Sequence, residues 1–154
     1  IAAQPQDQAV KMGSNVTFSV SASGFPPPTY HWRFNNQAIS GANTASFVRS
    51  NVQPADAGNY SVIVSNSVGQ LVSSNAALTV LPLAALWLQK LAALPDGRIS
   101  LVVTGEPGYP FWLERSTNIA FWQTVTNLPN PTGTAAFTDT AASNRNAGFY
   151  RARQ

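Results

Sequence analysis

Apolar and polar residues alternate in steps of two through the first half of the chain. Val16, Phe18, Val20 and Ala22 share one phase, Tyr30, Trp32 and Phe34 a second, Tyr60, Val62 and Val64 a third, and Leu78 and Val80 a fourth. A period of two places each set on one face of a β-strand, so these residues form the expected core of one sheet sandwich. Pro26-Pro27-Pro28 cannot donate ladder hydrogen bonds and marks the loop before the strand that carries Trp32, while Asn35-Asn36 reads as the turn that leaves it.

Beyond Leu81 the pattern changes. Pro82 stops the last of these strands, and an apolar, alanine-rich segment leads to Trp87. Turn signals then recur at Pro95-Asp96-Gly97, Gly105-Glu106-Pro107-Gly108, Leu128-Pro129-Asn130-Pro131 and Thr132-Gly133. Between them lie β-rich runs near 86–93, 98–104, 109–116, 121–127, 134–139 and 148–153. Six short strands joined by tight turns predict a second sandwich. The expected organisation is a first domain over 1–81, a short apolar linker over 82–87 and a second domain over 88–154. A linker this short and apolar is expected to pack rather than swing freely.

One group of residues carries a family resemblance. Trp32 follows Val20 by twelve positions, and Tyr60 precedes Val62 by two inside Asp56-Ala57-Gly58-Asn59-Tyr60-Ser61-Val62. This set resembles the core tryptophan, the tyrosine corner and the two usual cysteine positions of an immunoglobulin domain, with Val20 and Val62 standing where the cysteines would be. The run from Asn51 to Gly58 resembles the intermediate-set pattern of that family, and the likeness covers residues from about 5 to 81. It implies an all-β fold in which Val20, Trp32, Asp56, Tyr60 and Val62 are structural markers. A bridge at those two positions would contribute about 4 kcal/mol; burying two valines contributes about 1.5–3 kcal/mol each, so the core can do without the bond. The second half, through Trp112-Leu113-Glu114-Arg115-Ser116 and Gly148-Phe149-Tyr150-Arg151, resembles a small β module that closes large secreted bacterial proteins, and a fibronectin type III-like sandwich is its expected architecture. The expected fold class is therefore all-β, two tandem β-sandwiches.

Composition narrows the function. Only 10% of the 154 residues are charged. The formal charge of +3 is scattered: three basic and two acidic residues lie within 1–81, six and four beyond it. Nucleic-acid binding wants a clustered basic stripe and is not expected. There is no cysteine, which excludes disulfides and thiolate-held metals. No apolar run approaches the roughly 18 residues of a membrane span. The start at Ile1, with no signal peptide, reads as a processed piece of a longer protein whose own address has been cut away. The resemblance to modules of secreted proteins implies an extracellular or cell-surface location.

Candidate chemistry is sparse. The six acids are Asp7, Asp56, Asp96, Glu106, Glu114 and Asp139, and His31 is the one histidine. Asp56 belongs to the tyrosine-corner turn, Asp96 and Glu106 to hairpin turns and Asp139 to a strand end. Nothing sets two carboxyls at the separation that glycoside hydrolysis needs. His31 alternates with Trp32 and is expected on the surface, without metal-ligand partners. Arg49 occupies a slot that usually points inward, and a salt bridge to Asp56 is the expected resolution, with a bulge in its strand as the alternative. Asn15-Val16-Thr17 and Asn59-Tyr60-Ser61 fit the glycosylation triplet, to which no function is attached. Among the tryptophans, Trp32 and Trp122 are expected in the cores. Trp112, outward from its strand beside Glu114, and Trp87, in the linker, are the candidate ligand contacts.

The expected function is that of a non-catalytic structural or adhesive module, without cofactor. It would act as spacer and weak docking unit in a secreted or cell-surface bacterial protein. Expected partners are the rest of the parent polypeptide and an extracellular protein or polysaccharide, with neither nucleic acid nor membrane insertion. The alternative is a carbohydrate-binding accessory module of a secreted polysaccharide-degrading enzyme.

Overall fold

Period-two alternation is realised as strands in a computed structural model that describes residues 1–142 and 148–154, with Lys90 described by its backbone alone. The chain divides into two units, Ile1–Pro82 and Leu83–Gln154. Both are β-sandwiches.

The first unit contains β1 (Gln8–Lys11), β2 (Val16–Ser19), β3 (Thr29–Phe34), β4 (Gln37–Ala38), β5 (Ser46–Arg49), β6 (Gly58–Asn66), β7 (Gly69–Val72) and β8 (Ala76–Leu81). One sheet runs β1-β8-β6-β3-β4, with β7 also on β6, and the other pairs β2 with β5. β1 lies parallel to β8, whereas β3, β6 and β8 are antiparallel neighbours. Asn35 and Asn36 turn β3 into β4 with positive φ, a conformation that asparagine tolerates better than most residues.

The alternating faces meet between these sheets. Val16, Phe18, Val20, Trp32, Val52, Tyr60, Val62, Val64, Ala76 and Leu78 are all buried in one cluster. Phe18 stacks on Tyr60 at 4.6 Å between centroids, with Phe34 and Phe47 against other sides of the same ring at 5.0 and 5.9 Å. The Trp32 indole N–H donates to the Thr44 carbonyl at 2.9 Å, so the buried ring leaves no polar atom unpaired. Val20 and Val62 are 6% and 0% exposed, so the positions of the missing bridge are filled by packed methyl groups.

The second unit is built from β9 (Trp87–Ala93), β10 (Ile99–Thr104), β11 (Phe111–Ser116), β12 (Gln123–Leu128), β13 (Thr134–Asp139) and β14 (Phe149–Arg153). Its sheets are β13-β10-β9 and β12-β11-β14. Leu101 and Val103 from one sheet and Phe111 and Leu113 from the other are completely buried. Trp87, assigned to the linker by its sequence context, opens β9 instead, opposite Thr104. Trp122, expected in this core, is only half-buried. A register shift between β11 and β12 at Leu113/Glu114 re-aims the neighbouring side chains, and the Trp122 ring lies under Arg151.

Candidate functional site

The six carboxylates are all structural acceptors. Asp7 accepts the Ala77 amide at 2.7 Å, and Asp96 pairs with Arg98 at 2.6 Å across its hairpin turn. Asp56 accepts from Arg49 Nε at 2.9 Å and from the Gln53 amide at 2.8 Å. Its backbone carbonyl receives the buried Tyr60 hydroxyl at 3.0 Å, the tyrosine corner. β5 pairs β2 without a bulge, so Arg49 reaches Asp56 by its own length. Burial pushes the Asp56 carboxyl up, yet the Arg49 and Gln53 bonds with the Arg49 charge outweigh that and hold it below its ordinary value.

Glu106 is more than a turn residue. It is 7% exposed, its carboxylate accepts the Ala84 amide at 3.0 Å, and its carbonyl receives the Asn130 and Gln154 side chains. Asp139, at the end of β13, is 4% exposed and accepts from Arg115 at 3.2 Å, Tyr150 at 2.7 Å and the Ala141 amide at 2.9 Å. Burial pushes its carboxyl up, and the Tyr150 and Ala141 bonds with the Arg115 charge and bond bring it below the ordinary range. Tyr150 is pushed up to about 12, first by burial and then by its bond to Asp139.

Trp112 and Trp87 have different surroundings. Trp87 is 67% exposed, an open ring. Trp112 is half-buried, because the Arg153 guanidinium lies 5.4 Å from its centroid. Register explains the stack: Trp112 and Glu114 on β11 sit opposite Arg153 and Arg151 on β14, all on the outward face. Arg151 in turn lies 4.2 Å from the Trp122 centroid. Between the two guanidiniums, Glu114 accepts Arg151 Nε at 2.6 Å and Arg153 Nε at 2.9 Å. The row therefore alternates tryptophan, arginine, glutamate, arginine and tryptophan. Within it Glu114 is buried although it points away from the core, and Ser116, on the same face of β11, is buried against the Asn118 turn. The Arg151 bond, ahead of that from Arg153, holds the Glu114 carboxyl below its ordinary range despite partial desolvation.

Sequence reasoning reached Trp112 and missed its arginines. Alternation in Phe149-Tyr150-Arg151-Ala152-Arg153 does place both on one face, but only the pairing register brings them over Trp112 and Glu114. His31 is exposed on β3. No group of three His, Asp or Glu residues able to hold a metal occurs among the described residues, and no helix among them is long and apolar enough to cross a membrane.

Comparison with known proteins places the first unit. Residues 1–66 match the family model described as immunoglobulin domain. Over those residues the first unit is similar to an immunoglobulin domain. Similar curated proteins include the tyrosine-protein phosphatase Lar of Drosophila melanogaster, 33% identical over 89 residues, which are 50% of this chain and 4% of that protein. Human cell adhesion molecule DSCAM is 34% identical over 90 residues, 50% of this chain and 4% of that protein. Endoglucanase C of Cellulomonas fimi is 30% identical over 81 residues, 50% and 7% respectively. The chain thus spans a small fraction of the length of these relatives. Among solved structures, a titin fragment covers 98% of this chain and 94% of its own at TM-score 0.50 and 15% identity, a likeness of fold alone. Immunoglobulin-like domains of this kind serve as structural and adhesion modules in cell-surface proteins.

Proposed function

We propose that the chain is a non-catalytic spacer and docking module of a secreted or cell-surface bacterial protein, its second unit a fibronectin type III-like sandwich making weak contacts with protein or polysaccharide. The observation that carries this reading is the use of the carboxylates. Each is spent on an arginine, a tyrosine or a backbone amide that holds a turn or strand end, and acid–base hydrolysis needs a carboxyl aimed at substrate. The adhesion role of DSCAM, as its name states it, supports docking. The likeness of the second half to a module that closes secreted bacterial proteins supports the parent.

A second reading has its own support. Endoglucanase C names a polysaccharide-degrading protein that contains a similar segment, and Trp87 presents an open ring on which a sugar could stack. The test is incubation with cellulose, xylan and chitin, reading both reducing ends released and protein retained, for the chain and for Trp87→Ala and Trp112→Ala. The spacer reading expects no release and at most weak retention. Strong retention lost in Trp87→Ala would replace it with the accessory-module reading, and release of sugar would sink both.

A further inference from the structure

We propose that the outward face of the β12-β11-β14 sheet is a binding strip for an acidic polysaccharide, a chain bearing sulfate or carboxylate groups, held by the Nη donors of Arg151 and Arg153. The inference rests on the docking reading above and names its ligand class and its residues.

The first argument is charge. In the second unit Asp96 has its own arginine in Arg98 and Asp139 has Arg115, but at Glu114 two arginines share one carboxylate. One partner satisfies a carboxylate's charge; the second leaves a positive surplus on this face. The second argument is which donors are used. Arg49 and Arg98 each engage their carboxylate with both Nε and Nη. Arg151 and Arg153 make their bonds to Glu114 with Nε, so the Nη donors stay outside those bonds on side chains 48% and 57% exposed. Planar oxyanion recognition uses that outer edge of the guanidinium.

The third argument is rigidity. A free arginine loses rotamer freedom when it captures an anion, which weakens binding. Here Trp122 and Trp112 support the two planes from below while Glu114 fixes Nε, so both forks are ordered before any ligand arrives. Residues two apart on one strand stand about 7 Å from each other, a spacing suited to successive charged groups on an extended polymer.

The surroundings favour a glycan over other anions. Thr124 and Asn127 are exposed on β12, and their register opposite Glu114 and Trp112 adds hydroxyl and amide groups to the same face, across β11 from the arginines. A peptide strand binds by joining a backbone ladder at a sheet edge; β14 is such an edge, but Arg151 and Arg153 offer their Nη donors from the face of the sheet, where side chains alone meet a ligand. Nucleic acid needs many more phosphate contacts than two arginines supply.

The experiment passes the whole chain over matrices of dextran sulfate, polygalacturonate, neutral dextran and poly-L-glutamate at low salt. The expected result is retention on at least one acidic polysaccharide, weakened roughly tenfold by Arg151→Gln or Arg153→Gln and unchanged by Arg98→Gln, which removes the same charge elsewhere. The dextran sulfate and polygalacturonate arms tell sulfate from carboxylate. Circular dichroism of each variant checks the fold, and Arg151→Lys with Arg153→Lys, which keep the charge but not the planar fork, should give intermediate retention. Equal loss in Arg98→Gln, tighter binding to poly-L-glutamate or to neutral dextran, or passage through all four matrices each overturns the proposal. Passage through all four leaves the docking reading to its own test on neutral polysaccharides.

Discussion

The two sandwiches are closed by different forces. In the first, the space between sheets is filled by Phe18, Trp32, Tyr60 and the valines and leucine around them, with Asp56 as the one buried charge, at its edge. In the second, Leu101, Val103, Phe111 and Leu113 form a smaller apolar centre, and the unit also buries Glu106, Asn130 and Asp139, with Glu114 and Ser116 on the outward face of β11. Apolar burial is non-directional and tolerates exchange of one methyl group for another, which is how two valines can stand where a bridge would be. Buried carboxylates need every partner in place, so the second unit depends on a few exact distances.

The largest expected effect is on the apolar side of that comparison. Val20→Asp would put an unpaired carboxylate among Trp32, Val62 and their neighbours, and should abolish folding of the first unit. Amide NMR spectra would show it: dispersed signals of residues 1–82 collapse while those of 83–154 persist. Simultaneous loss of both sets would mean that the two units fold as one.

On the polar side, Asp139→Ala should destabilise the second unit by about 3–5 kcal/mol, since it strands an Arg115 side chain that is 11% exposed. Urea titration followed by the same NMR signals is the measurement, with the first unit's midpoint unchanged. A loss below about 1 kcal/mol would show that Arg115 finds water or another acceptor, and the contrast between units would weaken.

How far this was legible in the sequence follows the same division. Val16, Phe18, Trp32, Tyr60 and Val62 were readable because a strand's period of two reports burial directly, and Arg49 with Asp56 because the slot and its only nearby acid are close in sequence. The six later strands were readable from their turns. Trp122 was not, because the register shift at Leu113/Glu114 breaks the alternation that its placement assumed. Nor was the row through Glu114: Arg151 and Arg153 lie 37 and 39 positions away, and nothing local states which strands pair.

Acid sharpens the comparison further. Asp56, Glu114 and Asp139 all have folded pKa values below their ordinary ones. Each therefore contributes stability that is complete above the ordinary carboxylate range and lost as pH falls through the folded value. The second unit holds two of the three and should melt first as pH drops below about 4. Tyr150 acts at the other end. Its pKa is raised to about 12, so its contribution is complete below about pH 10 and lost between there and 12. Thermal melts from pH 2.5 to 7, resolved by unit, check the acid limb; a first unit that melts before the second would reverse the assignment of forces.

A smaller effect is expected at the tyrosine corner. Tyr60→Phe keeps the stacked ring and deletes only the hydroxyl that donates to the Asp56 carbonyl, for a loss of about 1–2 kcal/mol in the first unit's urea midpoint. A neutral outcome would mean that ring packing alone holds the turn.

The smallest effects separate the two candidate tryptophans. Trp87→Ala removes a ring that is 67% exposed and should change the second unit's stability by less than about 0.5 kcal/mol. Trp112→Ala removes the support under Arg153, and should cost about 1 kcal/mol as that side chain loses its stack and Glu114 loses a fixed donor. Stability in urea measures both, and Trp112→Phe provides the check, because a phenyl ring retains much of the cation attraction. Equal losses from Trp87→Ala and Trp112→Ala would show that the stack contributes nothing. A Trp112→Phe variant near the parent, with Trp112→Ala below it, would locate the contribution in the ring face beneath the guanidinium.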